Sequence, residues 1–228
     1  GELDIEIMGM IDDWGEALVI DGKTGLTIRG GVEGAGFDGE GDAQLFRIQG
    51  GSDVTFTELE FRGGKSTETE NGGALEIVGS SRVYASGVTF KSCTAAVWGG
   101  AVHVDEGSTF GANSTTFTGC SAVLYGGAVH VISGSTFGAI STTFTGCFAG
   151  SQGGGLYLTD STANLEGAAF TSCSTGADGR GGGICAYQGS ELSVSDSSFL
   201  NCQAENGGAI ASVGEDSSNK IKLTVKGT

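Results

Sequence analysis

The chain carries the sequence GGAVHVDEGSTFGANSTTFTGCSAVLY at Gly99 to Tyr125 and then starts it again, as GGAVHVISGSTFGAISTTFTGC, at Gly126 to Cys147. The second copy follows the first directly and differs from it at few positions. Tandem units of about 20 to 50 residues are typical of solenoids, in which each unit buries its apolar face against its neighbours. The repeat therefore predicts a stack of coils that share one core.

Two markers extend the same period over most of the chain. Gly-Gly pairs end at positions 73, 100, 127, 154, 182 and 208, in steps of 27, 27, 27, 28 and 26 residues. A column of phenylalanines keeps nearly the same spacing, and its members are Phe61, Phe90, Phe117, Phe144, Phe170 and Phe199. We therefore expect about eight coils of about 27 residues each in the segment 17–228.

Alternation of apolar residues within each unit points to short β-strands. Val102 and Val104 follow one Gly-Gly pair, and Phe110 with Ala112 precede Phe117 by seven and five residues. Side chains two residues apart lie on the same face of a strand, so these pairs are predicted to point into the core. The sequence lacks a 3.6-residue period and a leucine-rich pattern, and it predicts an all-β fold of the parallel β-helix type.

The ends of the chain depart from the repeat. Residues 1–16, which include Ile5, Met8 and Trp14, show little repetition, so we interpret them as an N-terminal cap over the first coil. Leu223 and Val225 match the pair that precedes each phenylalanine, which would put the next phenylalanine beyond the last residue. We expect the β-helix to be part of a longer chain.

Charge limits the classes of partner. The formal net charge is −16, with 11 basic and 27 acidic residues, so neither nucleic acid nor an anionic membrane surface is an expected partner. No apolar run approaches the roughly 18 residues of a membrane helix, and we expect no membrane insertion by this segment. Asn113-Ser114-Thr115 is an acceptor triplet for N-glycosylation, which is typical of secreted proteins.

The repeat resembles a known family. The sequence GGAL occurs at 72–75, GGAV at 99–102 and 126–129, and GGAI at 207–210, while FKSC, FTGC, FTGC, FTSC and FLNC begin at positions 90, 117, 144, 170 and 199. These motifs resemble the GGAI and FxxN repeats of the chlamydial polymorphic outer-membrane proteins and related repeats in surface proteins of algae and protists. The resemblance implies a right-handed parallel β-helix of the pectin-lyase-like type, displayed outside the cell or on its surface. In this chain, cysteine replaces the final asparagine of all five tetrads.

The cysteines form a predicted column of their own. Its members are Cys93, Cys120, Cys147, Cys173 and Cys202, whereas Cys185 stands on a strand after a Gly-Gly pair. The chain has no CxxC-type cluster, so we do not expect a metal site. The favoured interpretation is a column of buried thiols that pack as small apolar groups, with disulfides between adjacent coils as the alternative in an oxidising compartment.

Aromatic and imidazole side chains offer candidate binding residues. The residue between each inward-facing pair is predicted to be exposed, and this column comprises Arg47, Glu76, His103, His130, Tyr157, Cys185 and Ala211. Trp98 and Tyr125 stand just before Gly-Gly corners, one coil apart. These two rings either form an aromatic platform for a sugar ring or a protein partner, or fold over the corner. The candidate contact residues are therefore Trp98, Tyr125, His103, His130 and Tyr157.

These observations favour a non-catalytic structural and adhesive module without a cofactor. Its expected partners are a protein or glycan at a surface and neighbouring subunits or domains. A polysaccharide lyase or epimerase using Ca²⁺ is the alternative, with Asp38, Glu40 and Asp42 in one loop and Asp178 with Arg180 in another as the best acidic groups. They do not converge in the predicted register, so no catalytic residue is assigned. A third hypothesis is glycan binding without turnover.

Overall fold

The computed structural model describes residues 3–12, 15–67, 71–214 and 222–226. Within these residues it contains β-strands, numbered β1 to β30 in chain order, and no helix long and apolar enough to cross a membrane. The paired strands run parallel and belong to four sheets. The predicted all-β parallel solenoid of about eight coils is confirmed.

Two sheets carry most of the apolar pairs identified in the sequence. The long sheet has nine strands in the described residues: β1 (Leu3–Ile7), β4 (Leu26–Gly30), β7 (Asp53–Thr57), β11 (Arg82–Ser86), β15 (Thr109–Asn113), β19 (Thr136–Ile140), β23 (Thr162–Glu166), β27 (Glu191–Ser195) and β30 (Lys222–Lys226). The Gly-Gly sheet, most of whose strands follow a Gly-Gly pair, has eight in the same residues: β3 (Leu18–Asp21), β6 (Phe46–Gln49), β10 (Leu75–Ile77), β14 (Val102–Val104), β18 (Val129–Val131), β22 (Leu156–Thr159), β26 (Ile184–Tyr187) and β29 (Ile210–Val213).

The other two sheets complete each coil. The Phe sheet holds the phenylalanine column, and its eight described strands are β2 (Met10–Ile11), β5 (Gly36–Asp38), β8 (Glu60–Arg62), β12 (Thr89–Lys91), β16 (Thr116–Thr118), β20 (Thr143–Thr145), β24 (Ala169–Thr171) and β28 (Ser198–Leu200). The short sheet has five described strands: β9 (Lys65–Ser66), β13 (Thr94–Ala95), β17 (Ser121–Ala122), β21 (Phe148–Ala149) and β25 (Ser174–Thr175).

Equivalent side chains of successive coils stack along the axis of the solenoid. Phe117 pairs with Phe90 on one side and with Phe144 on the other. Their ring centroids are 4.9 Å and 4.8 Å apart, with planes inclined by 6° in both cases. All three rings are fully buried in one continuous core. The coils are therefore held in register by apolar columns as well as by the backbone ladders.

The Gly-Gly corners need glycine for two different reasons. Gly99 has a φ of +66°, in the left-handed region that side chains with a Cβ rarely adopt. Gly100 is required by packing, because a Cβ added there would overlap the carbonyl oxygen of Gly127 in the next coil. The corners thus bring the backbones of successive coils close together.

The described parts of the two ends continue the sheets. β1 and β2, which lie in the predicted cap, pair in parallel with β4 and β5 and so add one further layer. Trp14 lies outside the described residues. At the other end, Leu223 and Val225 pair with Leu192 and Val194, in the register that the sequence predicts.

Candidate functional site

The column between the inward-facing pairs of the Gly-Gly sheet is buried. His103 and His130 are each only 1% exposed, and Glu76, Tyr157, Cys185 and Ala211 are also buried. The prediction that these side chains face solvent is therefore wrong; Arg47 alone keeps a side chain about 39% exposed. The outward face of this sheet is covered because the residues before the Gly-Gly corners fold back over it.

Aromatic side chains form this cover. The Trp98 ring stacks over the imidazoles, with its centroid 5.3 Å from that of His130 and 6.0 Å from that of His103. Tyr125 pairs in register with Trp98, and its ring lies 4.8 Å from that of Tyr157. Of the two interpretations of Trp98 and Tyr125, the geometry matches the rings that fold over the corner. Both remain half-buried, with one face turned inward.

The two histidines contact each other beneath this cover. Their Nδ1 atoms are 3.0 Å apart, so one Nδ1–H donates to the other nitrogen. Asp105 Oδ2 lies 3.7 Å from His103 Nε2, and this imidazole is the main cause that lowers the pKa of the Asp105 carboxyl. Burial lowers the pKa of His130 well below its ordinary value, and the proximity of His103 lowers it further. The pair is sealed from solvent and is not placed to contact a substrate.

An ion pair lies at one end of the buried column. The Arg47 guanidinium contacts Glu76, and its Nε donates to Gln49 Oε1 at 2.9 Å. Glu76 is next to His103 in the strand register. Within the described residues there is no group of three or more histidine, cysteine or acidic side chains that could hold a metal ion. The column is a polar and aromatic layer that packs against the outside of the Gly-Gly sheet.

The cysteines contact the backbone of the preceding coil. Each thiol of the five-member column lies within 3.5 to 3.7 Å of the carbonyl oxygen of a phenylalanine. Four of these cysteines are buried and Cys202 is half-buried, and all five are free thiols, as is Cys185. Burial raises the pKa of the Cys185 thiol to about 12. The thiols therefore lie where small, weakly polar side chains fill the joint between the Phe sheet and the short sheet.

The acidic candidates for catalysis are placed apart. Asp38 accepts a hydrogen bond from Arg62 Nε at 2.7 Å and another from the backbone N–H of Glu40 at 2.9 Å. Arg180 lies several coils further along the solenoid than Asp38. It stands just before a Gly-Gly corner and pairs with the equivalent residues of the two adjacent coils, Gln152 and Asn206. The acceptor residue Asn113 is exposed at the end of β15.

A trough on the outer face of the long sheet was not predicted from the sequence. Its volume is about 600 Å³, and it spans β11, β15, β19, β23 and β27. The residues that shape it are Tyr84, Gly111, Asn113, Gly138, Ile140, Asn164 and Glu166. The available signal was the replacement of an outward side chain by glycine in two successive copies, at Gly111 and Gly138. We refer to this concavity as the trough.

An exposed apolar corner is another surface feature that sequence reasoning missed. Val123, Leu124 and Phe148 are 60%, 39% and 41% exposed, respectively. Val123 and Phe148 line a hollow of about 300 Å³ together with Ala95 and Ala122. In the sequence, the run AVLY at 122–125 precedes the Gly-Gly pair at 126–127. It contains more apolar residues than one inward-facing pair requires. We refer to Val123, Leu124 and Phe148 as the apolar corner.

Comparisons with protein-family models, with curated proteins and with solved structures found no match to this chain.

Proposed function

We propose that this chain is a non-catalytic structural and adhesive module, displayed outside the cell or on its surface, that attaches to a protein partner through the apolar corner. The resemblance of its repeats to those of surface-displayed β-helix proteins supports this location. The stacked core supports a structural role, because each coil is tied to both neighbours by ladders and apolar columns. The observation that carries the proposal is the apolar corner itself.

The apolar corner exposes large apolar side chains on an acidic protein. Val123 and Phe148 line one hollow, and the exposed Leu124 follows Val123 in the chain, on a protein whose formal net charge is −16. Contiguous apolar patches on soluble proteins mark sites of interaction, and aromatic residues are enriched at the centre of protein interfaces. The hollow between Val123 and Phe148 is also lined by Ala95, Ala122 and Lys65, and its exposed lining is mostly apolar, so an apolar side chain of a partner can insert there.

The near-identity of the coils supports a role without catalysis. An active site requires acids, bases or a metal that converge on one point, whereas the copies at 99–147 present almost the same residues twice. Asp38 and Arg62 are engaged with each other, and the histidine pair is covered by Trp98. A polysaccharide lyase or epimerase remains the competing proposal, and it makes a separate prediction.

Adhesion is tested with beads that carry the purified chain. Bead retention under flow is measured on surfaces coated with fibronectin, mucin or serum albumin, for the wild type and for the triple variant Val123→Ser, Leu124→Ser, Phe148→Ser. Leu200→Ser is the matched control, because Leu200 is 58% exposed on another face. We expect retention of the wild type on at least one surface, its loss in the triple variant, and no change in the control.

Two results would overturn the proposal. The first is equal retention of wild type and triple variant, or no retention of either on any of the three surfaces. The second is formation of unsaturated product from a uronate polymer in the presence of Ca²⁺, which would establish the lyase instead.

A further inference from the structure

We infer that the trough on the long sheet binds a neutral saccharide chain. This inference rests on the proposed adhesive function and adds to it a ligand class and a second surface, separate from the apolar corner.

The trough has the shape of an elongated subsite. Tyr84 stands at one end of an outward row of the long sheet and Ser193 at the other, with Gly111, Gly138 and Asn164 between them. The two glycines form the floor, and Asn113, Ile140 and Glu166 form a parallel row along one side. A volume of about 600 Å³ is within the range of pockets that bind small ligands. The floor runs along the solenoid axis, as a chain of sugar units requires.

Gly138 is not explained by the fold. Its φ lies outside the left-handed region, and a Cβ added there would meet no atom of the described residues within 4 Å. By contrast, the corner residue Gly100 has no room for a Cβ. A glycine within a strand weakens that strand. Where the backbone conformation does not require glycine, the residue often marks a place where another group approaches the strand closely. The open space above Gly138 is therefore available to a ligand.

Tyr84 supplies an apolar face to this space. A Cβ on Gly111 would lie 2.8 Å from Tyr84 Cδ1, so the tyrosine ring extends over Gly111 towards the floor of the trough. The side chain nevertheless stays 46% exposed. A half-exposed aromatic ring with a polar tip is suited to a ligand that has both apolar faces and hydroxyl groups, as a sugar ring has.

Most of the exposed lining is apolar, and the polar groups at its rim select among ligands. Serine and asparagine side chains line the rim, namely Ser86, Asn113, Asn164, Ser193 and Ser195. They offer hydrogen-bond donors and acceptors without charge. Among the described residues of the lining, Glu166 is the one acidic residue, and none is lysine or arginine. On a chain with a net charge of −16, this disfavours an anionic polymer, and a single carboxylate offers little to a polycation. A neutral saccharide matches the lining best.

Binding is measured by isothermal titration calorimetry with cellohexaose, chitohexaose, mannohexaose and xylohexaose. Hexagalacturonate serves as the anionic counterpart. The chain is produced in a host without N-glycosylation, so that Asn113 is unmodified. We expect at least one neutral hexasaccharide to bind with a Kd below about 1 mM, and hexagalacturonate to bind at least tenfold more weakly.

Two variants test the location. Gly138→Leu fills the trough at a position where the backbone and the neighbouring atoms accept a side chain, and Tyr84→Ala removes the aromatic face. Each is expected to weaken saccharide binding at least tenfold. Thr27→Leu is the matched control, because Thr27 lies in the same outward row but outside the trough. Thermal unfolding of each variant verifies that it is folded.

The inference is overturned if no neutral hexasaccharide binds, if hexagalacturonate binds as tightly, or if folded Gly138→Leu binds like the wild type. Retention of Gly138→Leu beads on protein-coated surfaces separates the two proposals. If that retention persists while no saccharide binds to the wild type, only the saccharide inference fails. If Gly138→Leu abolishes retention on protein and the wild type binds no saccharide, the trough belongs to a protein partner.

Discussion

His103 Nδ1 lies 3.0 Å from His130 Nδ1 across two adjacent coils, and both imidazoles are buried beneath the Trp98 ring. Only one of the two facing nitrogens can carry a proton in this arrangement, because two N–H donors would oppose each other. Full protonation of the pair is therefore incompatible with the packed corner. This contact makes the stability of the fold sensitive to acid.

Stability is expected to fall as the pH drops below about 6.5, the ordinary pKa of histidine. The pKa of His130 is lowered in the folded chain by burial and by His103, so the unfolded chain binds the additional proton more readily. Stabilisation from His130 is thus complete above about 6.5 and is lost as the pH falls towards the folded pKa. The lowered pKa of Asp105 adds a further loss below about 4, since its ordinary value is 3.8.

Urea unfolding at pH 5, 6, 7 and 8 measures this dependence. His130→Phe keeps an aromatic ring in the stack but cannot titrate, so between pH 8 and pH 5 its midpoint should fall less, or rise more, than that of the wild type. Acidification also reduces the repulsion within a chain of net charge −16, which acts in the opposite direction. Equal pH profiles of the urea midpoint for the two proteins would contradict the assignment of this pH dependence to His130.

Replacing a phenylalanine of the column by alanine should lower the free energy of unfolding by an amount that depends on the position of that residue. Phe117→Ala removes a fully buried ring that stacks on both sides, and we expect a loss of about 3–5 kcal/mol in the free energy of unfolding. Phe199 is only half-buried, and its ring stacks on Phe170. Phe199→Ala should therefore lose distinctly less. Denaturant titration measures both variants, and equal losses would argue against continuous stacking as the source of stability.

Alanine substitutions at two glycine positions should change the stability of the fold in opposite directions. Gly100→Ala would force a Cβ onto the Gly127 carbonyl and should destabilise the fold by about 1–3 kcal/mol or more. Gly138→Ala meets open space and should stabilise the strand by roughly 0.5–1 kcal/mol. Thermal and urea unfolding of the two variants should give shifts in opposite directions. A destabilised Gly138→Ala would remove the argument that this glycine is not required by the fold.

Thiol reactivity should follow burial. Cys202 is half-buried, whereas Cys93, Cys120 and Cys147 are fully buried. We expect N-ethylmaleimide to label Cys202 first, and slowly, because burial raises its pKa and keeps it protonated. Mass spectrometry of peptides from native and urea-treated protein gives the order of labelling. The Cys202→Ala variant should lack the first label, and early labelling of Cys120 would contradict the buried column.

Much of the solenoid could be predicted because its interactions repeat. Val102 pairs with Val129, and Phe117 with Phe144, as the spacing of the Gly-Gly pairs predicts. A register set by a repeat of 27 residues depends on alternation along each strand and on glycine at the corners, and both are visible in the sequence. The positions of the core columns follow from them.

The exposure of the outward side chains could not be predicted in the same way. Alternation placed His103 and His130 outside the Gly-Gly sheet, which is correct, but it does not reveal that Trp98 and Tyr125 fold back over them. Burial there depends on the path of the corner backbone and on the ring orientations, which a local pattern does not encode. The partners of the acidic candidates likewise could not be predicted from a local pattern, because the ion pair of Asp38 with Arg62 joins residues 24 positions apart.

By itself, the sequence determined the architecture, since hydrophobic period, glycine corners and tandem copies together place the apolar pairs of the central coils in one stacked core. Only the tertiary structure decided which outward residues are accessible: it covers the histidine pair and leaves the trough and the apolar corner open. The physical reason is that core positions are set by a periodicity along the chain, whereas a surface is shaped by side chains from several coils that meet in space.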